Sequence, residues 1–218
     1  MPIEVGVELE GVKLGVLELD GVTVSPSTGA LADEILRLCE QIHRSVTVDQ
    51  VSERDSVRAV RAMFRAWGID PARYRPSSEA LLRRIAQGKG LYRISNVVDA
   101  GNLGSLETGW PYGIYNRALI SPPVVFRAGE TSETYEGIGK QTWHLAGRPV
   151  LADKNGAFGS PISDSARTMV TEAARNLLGV IYAPAGAAPG AIESALQKLA
   201  DRITQSGGGA VVRSCVVS

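Results

Sequence analysis

The chain has 218 residues, of which 44% are hydrophobic and only 6% aromatic. This length suits one domain with an elaborated edge, or two small subdomains sharing a core, and the composition argues against a disordered chain or an aromatic-rich binding platform. Lys and Arg number 23, as do Asp and Glu, which argues against strong nonspecific nucleic-acid binding by the chain as a whole.

In chain order, residues 3 to 24 alternate through Val5, Val7, Leu9, Leu14, Val16, Leu17 and Val22, which predicts two or three strands broken at Gly11 and Asp20-Gly21. Residues 25 to 29 form a turn-rich connection. Leu31, Ile35, Leu38, Cys39 and Ile42 carry the three-and-four spacing of a helix over 31–43. Val57, Val60, Met63, Phe64 and Trp67 do the same over 51–67, stopped by Gly68 and Pro71. Arg75 precedes a proline and is expected extended. Ser77 and Ser78 then offer caps for a helix over 79–87. Residues 94 to 106 mix apolar residues with Asn, Asp and Gly, as in a helix lining something polar. Short strands follow at 124–128 and 150–152. Ser163-Asp164 is placed to cap a short helical stretch holding Arg167 and Thr168. A buried strand over 177–183, an amphipathic helix over 192–203 and a last strand over 210–217 complete the pattern. Strands first, then alternating helices and strands, give an α/β (α+β) fold, a mixed sheet flanked by helices.

Charge is unevenly spread. Residues 53 to 93 hold ten basic residues against four acidic ones. Arg75, Arg83, Arg84 and Lys89 are the candidates for contact with RNA phosphates, and Tyr74 and Tyr92 for stacking on unpaired bases. A solvated helix surface accounts for the same charges equally well.

Cys39 and Cys215 lack metal-ligand spacing and read as small core residues. His43 and His144 lie far apart with no Cys or carboxylate at ligand spacing, so no metal is expected. His43 ends a helix, where a cation is favourable. The sequence has no Gly-x-Ser-x-Gly elbow and no phosphate-binding loop of the Gly-x-x-x-x-Gly-Lys-Ser/Thr type. No apolar run approaches roughly 18 residues, and no basic-then-apolar leader opens the chain, so a cytoplasmic location is expected.

The densest polar stretch runs from Ser95 to Gly113 and holds Asn96, Asp99, Asn102, Ser105, Glu107 and Thr108. Such groups among Val97, Val98 and Leu103 are costly if buried unpaired, so they pair with one another or meet a ligand. The run Tyr74-Arg-Pro-Ser-Ser-Glu-Ala-Leu-Leu-Arg-Arg-Ile85, then Asn96-Val-Val-Asp-Ala-Gly-Asn102, then Leu106-Glu-Thr-Gly-Trp-Pro111, resembles the B3/B4 domain, the editing module of the phenylalanyl-tRNA synthetase beta subunit. Val125-Phe-Arg-Ala-Gly-Glu130, Ala152-Asp153, Ser163-Asp-Ser-Ala-Arg-Thr168 and Ile181-Tyr-Ala-Pro184 follow in matching order. The resemblance covers about residues 73 to 205. It divides the chain into strands and helices over 1–72, within the same compact unit, and a core over 73–218.

The resemblance implies a freestanding editing hydrolase that deacylates mischarged tRNA, with the aminoacylated 3′ end of tRNA as partner and a synthetase as a further one. It implies no cofactor, and neither a membrane nor DNA is expected as partner. Asn102 falls on a pocket asparagine of the family. Gly101 stands where the family has Thr, and Gly113 where it has His. Gly159 and Ser160 fall on a pocket turn, and Val180 falls near the Glu that reads the tyrosine hydroxyl. These departures imply a larger and less polar pocket, suited to a different aminoacyl group. Asn96 and Asp99 join Gly113, Gly159, Ser160 and Val180 as candidate substrate-binding residues. Asn102, Glu107 and Asp164 are the catalytic candidates, with Asn102 orienting substrate or water and Glu107 or Asp164 acting as base if an apolar wall raises its pKa. Asp164 is equally well explained as a helix cap, and Glu107 as the partner of a basic residue. A noncatalytic tRNA- or amino-acid-binding module is the alternative, and an unrelated small-molecule enzyme on the same scaffold is a third.

Overall fold

The computed structural model describes residues 2–188 and 190–218. Strand β1 (Val5–Val7) leads into the long β2 (Val12–Asp20). Three helices follow, α1 (Gly29–Ser45), α2 (Asp55–Ala66) and α3 (Ser77–Ala86), then α4 (Asn96–Thr108). Six strands come next: β3 (Tyr112–Asn116), β4 (Val124–Ala128), β5 (Thr134–Glu136), β6 (Thr142–His144), β7 (Pro149–Asp153) and β8 (Gly156–Gly159). Strand β9 (Leu177–Pro184), α5 (Ala191–Gly207) and β10 (Ala210–Val217) close the fold.

Two four-stranded sheets form the frame. One is antiparallel throughout, in the order β10-β2-β9-β3. The other runs β1-β4-β7-β8, with β1 parallel to β4 and the rest antiparallel. The period-2 alternation of β2 decides the layering. Leu17 and Leu19 face one way, packing with Leu177, Ile181 and Ala183 of β9 against α1, α4 and α5. Leu14 and Val16 face the other way, packing with Leu178, Val180 and Tyr182 against Val124, Phe126, Leu151 and Phe158 of the second sheet and Phe64 of α2. The antiparallel sheet is therefore a buried middle layer. The helices α1, α4 and α5 cover one face, and the second sheet with α2 covers the other. Among the described residues no helix is long and apolar enough to cross a membrane.

Several local expectations are corrected. The helix expected over 51–67 is two pieces, a 3-10 helix at Asp49–Glu53 and then α2, because the chain turns through an extended Arg54. Helix α3 begins at Ser77, with Pro76 at its N-cap and no side-chain cap. The short helical stretch at Ala166–Thr168 is capped by Ser165, whose hydroxyl accepts from the Arg167 amide. Asp164 is thereby freed for another role. The sequence reading had no counterpart for β3, β5 or β8, all five residues or fewer.

Candidate functional site

The site lies at the β3 edge of the antiparallel sheet. Helix α4 starts at Ser95, whose hydroxyl accepts from the Val98 amide, and ends at Gly109, whose φ of 75° is a conformation that favours glycine. The helix is buried along most of its length, so its polar groups need partners. Asn96 supplies three: its amide donates to the Thr23 and Ser206 carbonyls, and its oxygen accepts from the Ser25 amide. Asp99 accepts from the Ile94 amide and the Ser27 hydroxyl. These two candidate substrate ligands are thus tertiary staples, and neither lines the cavity formed around Asn102. Glu107 is on the far side of α4, where Arg202 reaches it with both terminal nitrogens and Lys198 lies 3.8 Å away. It meets a basic partner instead of the pocket. Val180 lies inside the core between the sheets, 1% exposed, and does not line the cavity formed around Asn102.

Asn102 behaves otherwise. Together with Val98 and Gly101 it forms one wall of a cavity of about 260 Å³, closed by Tyr112 and Ile114 of β3 and by Ile138, Asp164, Met169 and Val170. The Tyr115–Met169 bridge draws the 165–170 segment alongside β3 and holds that far wall in place. Among the described residues no hydrogen-bond partner reaches the Asn102 amide, which is half-buried and not sealed from the cavity. Ile94, Ile138 and Met169 are 59%, 57% and 38% exposed at the rim. Large apolar side chains gathered at a cavity mouth are the kind of exposure that marks a ligand site.

Asp164 is the second polar group of the cavity. As a residue it is half-buried, its open side being the cavity wall. Its Oδ1 is enclosed: it accepts from the Tyr115 hydroxyl at 2.8 Å and the Ser160 amide at 3.2 Å. No donor among the described residues reaches Oδ2, which is left for the cavity. The Tyr115 hydroxyl in turn lies 3.0 Å from that of Tyr182. Burial disfavours the charged carboxylate and pushes Asp164 up from 3.8 to about 7, against the lowering effect of the Tyr115 and Ser160 hydrogen bonds. The same burial, reinforced by the Asp164 charge, pushes both phenols well above the ordinary tyrosine value. An aspartate tuned near neutrality in the same cavity as an uncommitted amide is an arrangement that can serve acid–base chemistry.

Two glycines make room for this network. A Cβ on Gly113 would stand 2.1 Å from the Tyr115 hydroxyl, and one on Gly159 2.3 Å from it. Neither glycine lines the cavity. They act by seating the phenol that holds Asp164. Ser160 organises the turn behind it. Its hydroxyl donates to the Ser163 carbonyl and accepts from the Ile162 and Ser163 amides. The structure thus brings Asn102 and Asp164 into one cavity, with Gly113, Gly159 and Ser160 supporting them. The sequence reading missed Tyr115 and Tyr182. The one signal for Tyr115 was its place two residues after Gly113 in a strand-like run, which puts both on one face.

The basic candidates gather separately. Arg75, Arg83, Arg84, Lys89 and Tyr92 line one shallow depression of about 330 Å³. Arg83 is already engaged, donating to Glu79 at 2.8 Å. Glu79, only 1% exposed, also takes two bonds from Arg61 and lies 3.7 Å from Arg75. Those arginine bonds hold Glu79 below the ordinary carboxylate range despite the opposing cost of its burial, the largest influence on it. Arg84 stacks over the Tyr92 ring at 3.7 Å. Tyr74, offered for base stacking, instead lies under Arg148, which donates to its hydroxyl. Cys39 and Cys215 are free, and both pack against the core clusters. No cluster of metal-ligating side chains occurs among the described residues.

Comparison with known proteins gives this geometry a context. The profile of the B3/4 domain matches residues 59–204. The phenylalanine–tRNA ligase beta subunit of Neisseria gonorrhoeae is 29% identical over 103 residues, which are 43% of this chain and 13% of that subunit. The crystal structure of an N-terminal fragment of the phenylalanyl-tRNA synthetase beta subunit from Pyrococcus horikoshii matches with a TM-score of 0.51 and 16% identity, over 97% of this chain and 50% of the fragment. At that identity the likeness is one of fold. The chain spans half or less of the length of these relatives.

Proposed function

We propose, for a chain that belongs to the B3/4 domain family, that the cavity between α4 and β3 takes the aminoacyl group of a mischarged tRNA and hydrolyses its ester. The observation that carries this reading is the pairing of Asn102 and Asp164. They are the two polar side chains of an otherwise apolar cavity whose hydrogen-bonding groups the protein itself leaves unused there. An aminoacyl ester is already activated, so holding one water against its carbonyl supplies much of the rate. In this reading Asn102 orients the ester or the water. The Asp164 carboxylate takes a proton from the water as its oxygen bonds to the carbonyl carbon. The ester C–O bond then breaks, and the proton passes to the ribose oxygen that leaves. The products are the free amino acid and the tRNA with its terminal hydroxyl restored.

The basic depression supplies a docking surface in the same reading. Lys89 and Arg75 are its most exposed cations, and Arg84 lies over the Tyr92 ring. Ile94 at the cavity rim is two residues beyond Tyr92, no more than ~7 Å along an extended chain. A strand of RNA held by the depression therefore reaches the cavity without a long gap.

The alternative, a module that binds tRNA without cleaving it, draws on Gly101 and Gly113, which contribute no side chain where the resembled family places reactive ones. Deacylation of a panel of mischarged tRNAs, including phenylalanine tRNA charged with tyrosine, separates the two. Turnover lost in Asn102→Ala and Asp164→Asn supports hydrolysis. Retained tRNA binding without turnover of any species selects the binding module. Neither turnover nor binding defeats both.

A further inference from the structure

We infer that the cavity selects an aminoacyl group with an uncharged, apolar side chain, and that Gly101 and Ile114 set the largest side chain it admits. The inference rests on the editing reading above and narrows it to a substrate class. Ile94, Val98, Ile114, Ile138, Met169 and Val170 supply most of the lining. Tyr112 adds its ring, because its hydroxyl end is tucked against Gly104 of α4, 3.3 Å from where a Cβ would stand, and is sealed from solvent there. The remaining polar groups, Asn102 and Asp164, face the reacting ester. A hydroxyl, amide or charge on the substrate side chain would then be buried with nothing to pair with, at a cost of ~1–3 kcal/mol, or roughly ten- to hundredfold in specificity.

Size is set where α4 approaches β3. A Cβ on Gly101 would stand 3.0 Å from Ile114 Cγ1 and 3.3 Å from its Cδ1. Gly101 and Ile114 both line the cavity, so this contact lies in its wall. A methyl group at 101 therefore fills space between two residues of the cavity wall and narrows the cavity there. The bare glycine keeps that space open to a branched or aromatic side chain.

The test uses stable amide analogues, 3′-aminoacylamino-3′-deoxyadenosines, so that binding is read apart from hydrolysis. Analogues carrying leucine, isoleucine, methionine, valine or phenylalanine are expected to bind the wild-type chain ten- to hundredfold more tightly than those carrying serine, threonine, aspartate or lysine. Gly101→Ala is expected to weaken the phenylalanine and leucine analogues severalfold more than the valine analogue. Ile114→Val, which removes one methyl from the same wall, should shift the preference the other way. Apolar-selective binding without deacylation of any tRNA would retire the hydrolase reading and leave this inference standing. Equal binding of polar and apolar analogues, no binding of any, or a size preference that neither variant moves would overturn it.

Discussion

Tyr115→Phe tests the reasoning about Asp164 most directly. The substitution keeps the ring, which packs edge-on to Phe158 with centroids 5.1 Å apart. It removes the 2.8 Å hydrogen bond to Asp164 Oδ1 and the 3.0 Å contact with Tyr182. A hydrogen bond to a charged group contributes about 1.5–3 kcal/mol, and each pH unit corresponds to about 1.4 kcal/mol. Loss of this donor, which favours the carboxylate, is therefore expected to raise the Asp164 pKa above about 7 by roughly one to two units. Two assays read it: the carbon shift of selectively labelled Asp164 between pH 5 and 9, and the pH dependence of kcat/KM for deacylation. In both, the midpoint should move to higher pH in Tyr115→Phe, and less in Tyr182→Phe, whose hydroxyl touches Asp164 only through Tyr115. The same tuning links to stability. Because the folded pKa is raised from 3.8 to about 7, the stabilisation is fully present below pH ~4 and is lost as pH rises through about 7. The ceiling is ~4 kcal/mol, and solvent at the cavity wall brings it to ~1–2 kcal/mol. Asp164→Asn should flatten that part of the profile. An unchanged or lowered midpoint in Tyr115→Phe would refute the claim that the phenol holds the carboxylate.

Glu79→Gln leaves Arg61, Arg75 and Arg83 around a neutral buried group, and urea denaturation should show a loss of ~3–5 kcal/mol. Gly113→Ala drives a methyl group into the Tyr115 hydroxyl, and should cost ~1–3 kcal/mol in the same experiment while detaching Asp164 from its partner. For tRNA binding, Arg84→Glu with Lys89→Glu should weaken affinity and flatten its dependence on salt. Arg83→Glu, by contrast, should mainly unfold the chain, because Arg83 is tied to Glu79. Equal salt dependence for the Arg84/Lys89 pair and the wild type would remove the depression as a docking surface.

What the sequence determined by itself was the set of long elements. The alternation of Leu14, Val16, Leu17 and Val22 and the three-and-four spacing in α1 and α5 are local properties, and the elements formed there. The polar run from Ser95 to Gly113 was also visible as a place where buried polarity needed an explanation. Tertiary structure alone decided which explanation applied to each residue. Asn96 found backbone partners more than 70 residues away, Asp99 found the Ser27 hydroxyl, and Glu107 found Arg202 on α5. Asn102, on the same short helix, found none. The spacing of Asn96, Asp99 and Asn102 along one helix gives no hint of that division, because it depends on which loops and helices pack outside the helix. Asp164 shows the same limit. Next to Ser163 it reads as a helix cap, yet Ser165 takes the cap and Asp164 turns inward to a tyrosine seated between two glycines from separate strands. Gly113 and Gly159 looked like gaps in a pocket. In three dimensions their missing side chains are the space that the Tyr115 hydroxyl fills, and only packing across the sheets shows that an absent Cβ positions the Asp164 carboxylate.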